Sequence, residues 1–361
     1  MAYTTIDDPS AYFQIATYTG GGGNSSITND GNSDLKPDLV YFATRNATNP
    51  KPLLDSTRGG NKFIYSDLTQ GADTGDAGVG IATFNTDGFT FGSTAQTYFN
   101  DTNNTYVAWQ WKCNGGTTSN LSGNLASVVQ VNADAGFSIV TYTGSGGNGQ
   151  SVLHGLGLTP EVIITKARNG ADNWHVYHKS IGNTKILKLN TTDAEASSSA
   201  YSAAAVSSSA FFVSTSLIYV GQLGADFVSY CFAPIQGYSK FGKYVGNGNA
   251  NGAFVYLGFA PAWLLIKRFD AGATNWNLYD NKRESSGGGF AAGQDASRRL
   301  FPNNAEAESA NTVADEMQFT SNGFKLRGTQ GSLNGSGNEF IYMAFAENPF
   351  VTSTGVPATA R

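Results

Sequence analysis

The chain is 361 residues long, with 22 basic against 27 acidic residues, a net charge of −5, and no block of Lys or Arg anywhere. Nucleic acid is therefore a poor fit as a partner, because phosphate binding needs a basic footprint. Charged residues make up only 14%, aromatics reach 12% and glycine occurs 44 times, which excludes a disordered polymer and favours short strands joined by tight turns.

At about 150 residues per domain the length predicts two or three domains, and internal repetition points to three. No apolar run approaches the ~18 residues of a membrane span, and the start Met-Ala-Tyr-Thr-Thr-Ile-Asp-Asp lacks the basic and apolar regions of a signal peptide. The expectation is a soluble chain made in the cytosol, without membrane insertion. Cys113 and Cys231 fall at non-equivalent places and are expected to be free thiols.

Residues 1–11 read as a polar lead-in. The first repeat spans 12–113. Phe13, Ile15 and Thr17 alternate with Gln14, Ala16 and Tyr18 in the period of a half-buried strand, and a glycine loop follows at 20–23. After Pro37 comes the short core strand Leu39-Val40-Tyr41-Phe42, then the Asp87-Gly88 turn into Phe89-Thr90-Phe91, and Tyr106 to Trp111 closes the unit. Residues 114–135 are polar and rich in Asn and Gly, and read as a linker.

The second repeat, 136–234, follows the same grammar: Phe137 to Tyr142, a glycine loop, Pro160, Val162 to Lys166, then Trp174-His175-Val176-Tyr177-His178. Its Ala- and Ser-rich stretch from Asp193 to Ala210 is expected to be a loop, since Ser is a poor helix interior residue. The third repeat, 237–350, has Pro261, Trp263 to Lys267, Trp276-Asn277-Leu278-Tyr279-Asp280 and the Asn322-Gly323-Phe324 turn, followed by a tail at 351–361. Short strands with Gly and Asn turns, and no alternating helical pattern, predict an all-β chain of three tandem antiparallel β-sandwich modules of jelly-roll or lectin-like type. The long first linker and the short 233–237 connection predict a rigid pair of repeats two and three, with the first repeat set apart as an anchor.

Certain phrases carry a resemblance: the Tyr-Thr-Gly openings at Tyr18 and Tyr142, Arg168-Asn169 before Asn173-Trp174-His175-Val176-Tyr177-His178, Gly237-Tyr238-Ser239-Lys240-Phe241-Gly242, and Tyr342 to Phe350. They resemble repeated concanavalin-like or lectin-like modules of bacteriophage virion proteins, of the kind found in phages of marine bacteria and cyanobacteria. The resemblance covers 12–350 and implies a non-enzymatic structural protein of a virion, in a tail fibre, baseplate, knob or capsid decoration. It implies contacts with other virion proteins, homo-oligomer formation and, as a further role, adhesion to host-surface glycans. No catalytic residues and no cofactor come with it. A stand-alone carbohydrate-binding protein and a polysaccharide depolymerase are the alternatives.

Trp174, Tyr177, Trp276 and Tyr279 sit at matching places in two repeats, and with His178, Asp280 and Arg283 as the polar groups beside them they are the candidate ligand-binding residues. A sugar platform needs an exposed aromatic face with polar groups beside it. The competing reading is that these rings pack the core, the commoner fate of large aromatics. The first repeat has no Trp here, reading Pro50-Lys51-Pro52-Leu53-Leu54-Asp55.

His175 and His178 lie three apart, on opposite faces of a strand, and only His154 remains, so no metal set forms. Asp30-Gly31-Asn32-Ser33-Asp34 starts like a calcium loop but has Leu35 and Tyr41 where Gly and Glu are needed. Carboxylates available for glycan cleavage, Asp295, Glu306, Glu308, Asp315 and Glu316, lie in a polar stretch expected to be loop or solvated helix.

Overall fold

The computed structural model describes residues 3–72, 77–120, 123–201, 204–214, 220–283, 298–310 and 317–358. The chain is all-β, 42% strand and 2% helical, in several antiparallel sheets. One strand pattern occurs three times. In the first segment the sheet order is Phe13–Thr19, Thr105–Trp111, Leu39–Thr44, Pro52–Asp55, Phe63–Tyr65. In the second, Phe137–Thr143, Asp226–Phe232, Val162–Ala167, His175–His178 and Lys185–Lys188 follow the same order. In the third it is Ser239–Val245, Glu339–Pro349, Phe259–Arg268, Asn277–Asp280. The opening and closing strands are thus neighbours each time.

The registers make the equivalence residue by residue. Tyr18 pairs with Tyr106, Tyr142 with Phe227 and Tyr244 with Phe340. Each pair is stacked, with centroids 5.4, 5.2 and 4.9 Å apart. The three tyrosine hydroxyls donate to the backbone oxygens of Phe99, Val220 and Leu333. Such pairs add ~0.5–1.5 kcal/mol each beyond burial. The predicted glycine turns are also shared: a Cβ on Gly88 would lie 2.0 Å from the Ile27 oxygen, and one on Gly323 would lie 2.1 Å from that of Val255. Only glycine fits either close approach.

Each segment carries a smaller sheet over the large one: Ser26–Ile27, Phe89–Phe91 and Ile81–Phe84 in the first, Gln150–Leu153 and Ala210–Val213 in the second, Phe254–Tyr256, Gly323–Leu326 and Met317–Thr320 in the third. Alternation along the strands feeds two cores. One face of each large sheet joins its own peripheral cluster, as Phe42 does with Phe89 and Phe91. The other face joins a central cluster common to all three segments, containing Ile15, Trp109, Ile139, Tyr230, Phe241 and Met343. The equivalent last aromatics of the closing strands, Trp111, Phe232 and Phe345, meet one another at 5.6 to 6.4 Å. The segments are therefore related by an approximate threefold axis through this triangle.

Two expectations are corrected. Residues 114–135 are not a linker: Asn114–Asn120 and Ser127–Asn132 pair with each other, and the latter pairs with Phe137–Thr143, widening the second sheet to eight strands. Buried Leu125 and Val129 anchor this hairpin in the peripheral core of the second segment. Nor does the first segment stand apart. It contacts both others, because a ring of three closes only if the third segment returns to the first.

The lead-in is held too, with Thr4 and Ile6 buried, the Thr4 hydroxyl donating to Gln236 O, and Asp7 accepting from the Ser353 amide. The Asp193 to Ala210 stretch is largely irregular where described, with a two-residue strand at Ala196–Ser197. Among the described residues no helix is long and apolar enough to cross a membrane.

Candidate functional site

The junctions between segments repeat the threefold pattern. The Ala72 amide donates to Arg168 O at 2.7 Å, the Glu195 amide to Phe269 O at 2.9 Å and the Glu308 amide to Arg45 O at 2.8 Å. Each bond joins one segment to the next, and the third closes the circle. The sequence-derived candidates lie in these junctions. Trp174 Nε1 donates to Tyr65 O, and Trp276 Nε1 donates to Lys188 O. Asp280 Oδ2 accepts from Trp109 Nε1 and from Arg283 Nε. Its counterpart Asp55 accepts from Tyr230 Oη and Arg58 Nε. At the same position in the second segment stands His178, whose Nε2 lies 3.2 Å from Tyr342 O.

Trp174, Tyr177, His178, Trp276, Tyr279, Asp280 and Arg283 are all buried, none more than 6% exposed. The platform reading of these seven residues is therefore corrected: none offers a ring face to a sugar. Tyr177 and Tyr279 turn into the peripheral cores, while Trp174 and Trp276 belong to the central one. His178 Nδ1 accepts from the Ser180 amide, so Nε2 carries the proton toward Tyr342. Burial lowers its pKa to about 4.

The missing Trp of the first repeat is replaced by a buried lysine. Lys51 Nζ donates to Asn304 O and Glu306 O of the third segment, at 2.7 and 3.0 Å. Lys166 Nζ reaches Thr69 O in the first segment, and Lys267 Nζ reaches Thr192 O in the second. Each junction therefore has one buried ammonium capped by backbone oxygens, and burial pushes each of the three down to about 8. A structural role, not an attachment role, explains why Lys51 departs from the repeat.

Of the carboxylates, Glu308 is held by Arg45 at 2.8 Å and Arg283 at 3.1 Å. Burial opposes its ionisation, yet these two guanidinium groups keep its carboxyl below the usual range. Glu306 contributes its backbone oxygen to Lys51, and Asp295, Asp315 and Glu316 lie outside the described residues. Among the described residues no group of three His, Cys, Asp or Glu is placed for a metal. The Asp30 loop lines a polar cleft of about 310 Å3 between the first and third segments, with Asp30 paired to Lys282 at 3.0 Å. Cys113 and Cys231 are buried free thiols, and burial raises both.

An aromatic surface that the sequence reading missed lies on strand Phe254–Tyr256, at the edge of its sheet. Phe254 is 47% and Tyr256 48% exposed, while Val255 between them is buried. Lys240 Nζ donates to Tyr256 O at 2.8 Å and lies 5.2 Å from its ring centroid. Tyr3 Oη donates to Gly258 O and lies 3.2 Å from Tyr256 Oη. Partial burial and the Tyr256 hydroxyl raise the Tyr3 phenol, and partial burial lowers the Lys240 ammonium. Register places Ser26 and Thr28 of the first segment where Phe254 and Tyr256 stand in the third. That substitution within an alternating strand was the available signal. Rings beside an ammonium and phenol hydroxyls are the ingredients of a sugar or protein contact.

No curated protein and no solved structure matches the chain. A family model described as "Domain of unknown function (DUF7483)" matches residues 8–349. The match spans nearly the whole ring of three segments, and the chain belongs to that family.

Proposed function

We propose that the protein is a non-enzymatic structural protein of a bacteriophage virion, in a tail fibre, baseplate or capsid decoration, built of three jelly-roll or lectin-like β-sandwich modules. The observation that supports this reading is the use of its most chemically suggestive side chains. The tryptophans, buried Asp–Arg pairs and buried lysines tie the modules into one closed block, which suits a part that transmits load and presents loops. Its surface contacts serve assembly with other virion proteins and with copies of itself. Repetition by symmetry would turn weak patches into avidity.

Peptide mapping of purified particles, joined to an electron-microscopy density with a three-lobed block, tests the reading. Absence of the chain from particles overturns it. Exposed Phe254 and Tyr256 favour a second reading, a stand-alone carbohydrate-binding protein. Retention on a glycan array by a chain that is not in particles would select it. Reducing-end release from host polysaccharide would instead show a depolymerase.

A further inference from the structure

The three junctions differ at one corresponding place, beside the outer edge of an opening strand. Equivalent backbone bonds fix the correspondence: the Ser56 amide donates to Asp38 O, the Lys179 amide to Glu161 O and the Asn281 amide to Ala262 O. Between the first and second segments the place holds Gln130. Its side-chain oxygen accepts from the Ser56 and Thr57 hydroxyls and its nitrogen donates to Asp38, at 2.7 to 2.9 Å. Between the second and third segments the Lys179–Ile181 turn packs against Ser239–Val245, and Lys179 pairs with Glu161 at 2.6 Å. Between the third and first, the corresponding residues Ala262, Asn281 and Lys282 line the open polar cleft of about 310 Å3.

Gln130 reaches its place on a strand. Ser127–Asn132 runs antiparallel along Phe137–Thr143, with Asn132, Gln130 and Val128 opposite Phe137, Ile139 and Thr141. The corresponding residues of the first segment are Phe13, Ile15 and Thr17, and the first two line the cleft. Tyr12 O accepts from the Lys112 amide, and the Gly20 amide donates to Asn104 O. By antiparallel alternation the even-numbered residues of Phe13–Thr19 therefore bond to the closing strand, and Phe13, Ile15 and Thr17 turn their backbone groups to the outer edge. Among the described residues no strand pairs with that edge. Such an edge is a template for another chain. Asp8, Asp30 and Glu347 bring three carboxylates to the cleft, and Lys282 brings one ammonium.

We propose that the outer edge of Phe13–Thr19 takes one extended strand from a partner protein, with a Lys or Arg side chain in the cleft where Gln130 stands in the neighbouring junction. The strand's backbone pairs with Phe13, Ile15 and Thr17 as Ser127–Asn132 pairs with the second segment. Its cation meets the carboxylates. The Asp30 loop and the third segment wall the cleft, which leaves room for a single extended chain, so the partner offers a tail or a loop. The proposal goes beyond the virion reading and does not rest on it.

Calorimetric titration of the full chain with a synthetic Ser127–Asn132 peptide carrying Gln130→Lys tests it, read together with amide hydrogen exchange. Binding is expected, with slowed exchange at residues 13–17. Methylating the peptide nitrogen at position 130 removes the donor that faces Ile15, and should weaken binding at least tenfold. A peptide carrying Gln130→Glu should bind more weakly than the Gln130→Lys peptide by a similar factor. These changes are made in the peptide, so the fold of the protein is untouched. No binding of the Gln130→Lys peptide overturns the proposal, as do insensitivity to methylation, equal binding of the Gln130→Glu peptide, and protection outside residues 13–17. Slowed exchange at the same residues when the chain alone is concentrated would assign the edge to a second copy and overturn the partner strand. Particle composition is a separate readout: a chain absent from particles that binds the peptide loses only the virion reading.

Discussion

The junction between the first and second segments and the one between the third and first are closed by Asp–Arg pairs, Asp55 with Arg58 and Asp280 with Arg283, at 2.5 and 2.6 Å and fully buried. The junction between the second and third has His178 and Ile181 at those places, and a neutral imidazole facing a backbone oxygen. One backbone geometry is thus satisfied by two chemistries. The charged version orders three donors around the Asp55 carboxylate and four around that of Asp280; the neutral version avoids burying ions but couples folding to pH near the histidine range. A buried ion pair gives little net stability over an apolar filling, yet removing one partner is severe because the other remains buried and charged.

The largest expected effect tests that asymmetry. Asp55→Ala leaves Arg58 and Tyr230 Oη without their acceptor, and urea denaturation should show a loss of ~3–5 kcal/mol. A loss below ~1 kcal/mol would mean that the junction is not stabilised as described. Trp276→Ala should cost a similar ~3–5 kcal/mol, since it opens a cavity in the central core and strips the donor from Lys188 O. Retained stability with altered ligand binding would return Trp276 to the surface.

The histidine junction gives the next effect. The folded-state pKa of His178 lies at about 4, against an ordinary 6.5. The unfolded chain therefore takes up a proton first as pH falls, and stability present above pH 6.5 is lost down to pH 4, by about 3 kcal/mol in all. Melting temperatures measured across that window should fall for the wild type. His178→Gln should flatten the part of the slope that His178 supplies, and an unchanged slope would assign it to other groups. The smallest effect is expected at the exposed edge: Tyr256→Ala should change stability within ~0.5 kcal/mol, while lowering any glycan retention that depends on that strand.

The sequence was most informative where the physics is local. Strand alternation, the turns at Gly88 and Gly323, and the order of landmarks after Pro37, Pro160 and Pro261 are all visible in it, since each depends on neighbouring residues. The hairpin at 114–132 was obscured because its first strand is Asn-, Gly- and Thr-rich, leaving only Val128, Val129 and Val131 to mark it. The register matches Trp174 with Trp276 and Tyr177 with Tyr279, the equivalences that the repeat had made visible.

What the sequence determined by itself is the repeated strand grammar and the all-β class, because strand period and turn chemistry are written within a few residues. Only the tertiary structure decided that both faces of each large sheet are covered. A Trp on a strand reads the same whether its face meets solvent or another sheet, and that choice is made by residues more than 80 positions away, as Trp276 against Lys188 shows. The same distance hid the pair of Arg45 with Glu308, which formed once the ring had brought the third segment against the first.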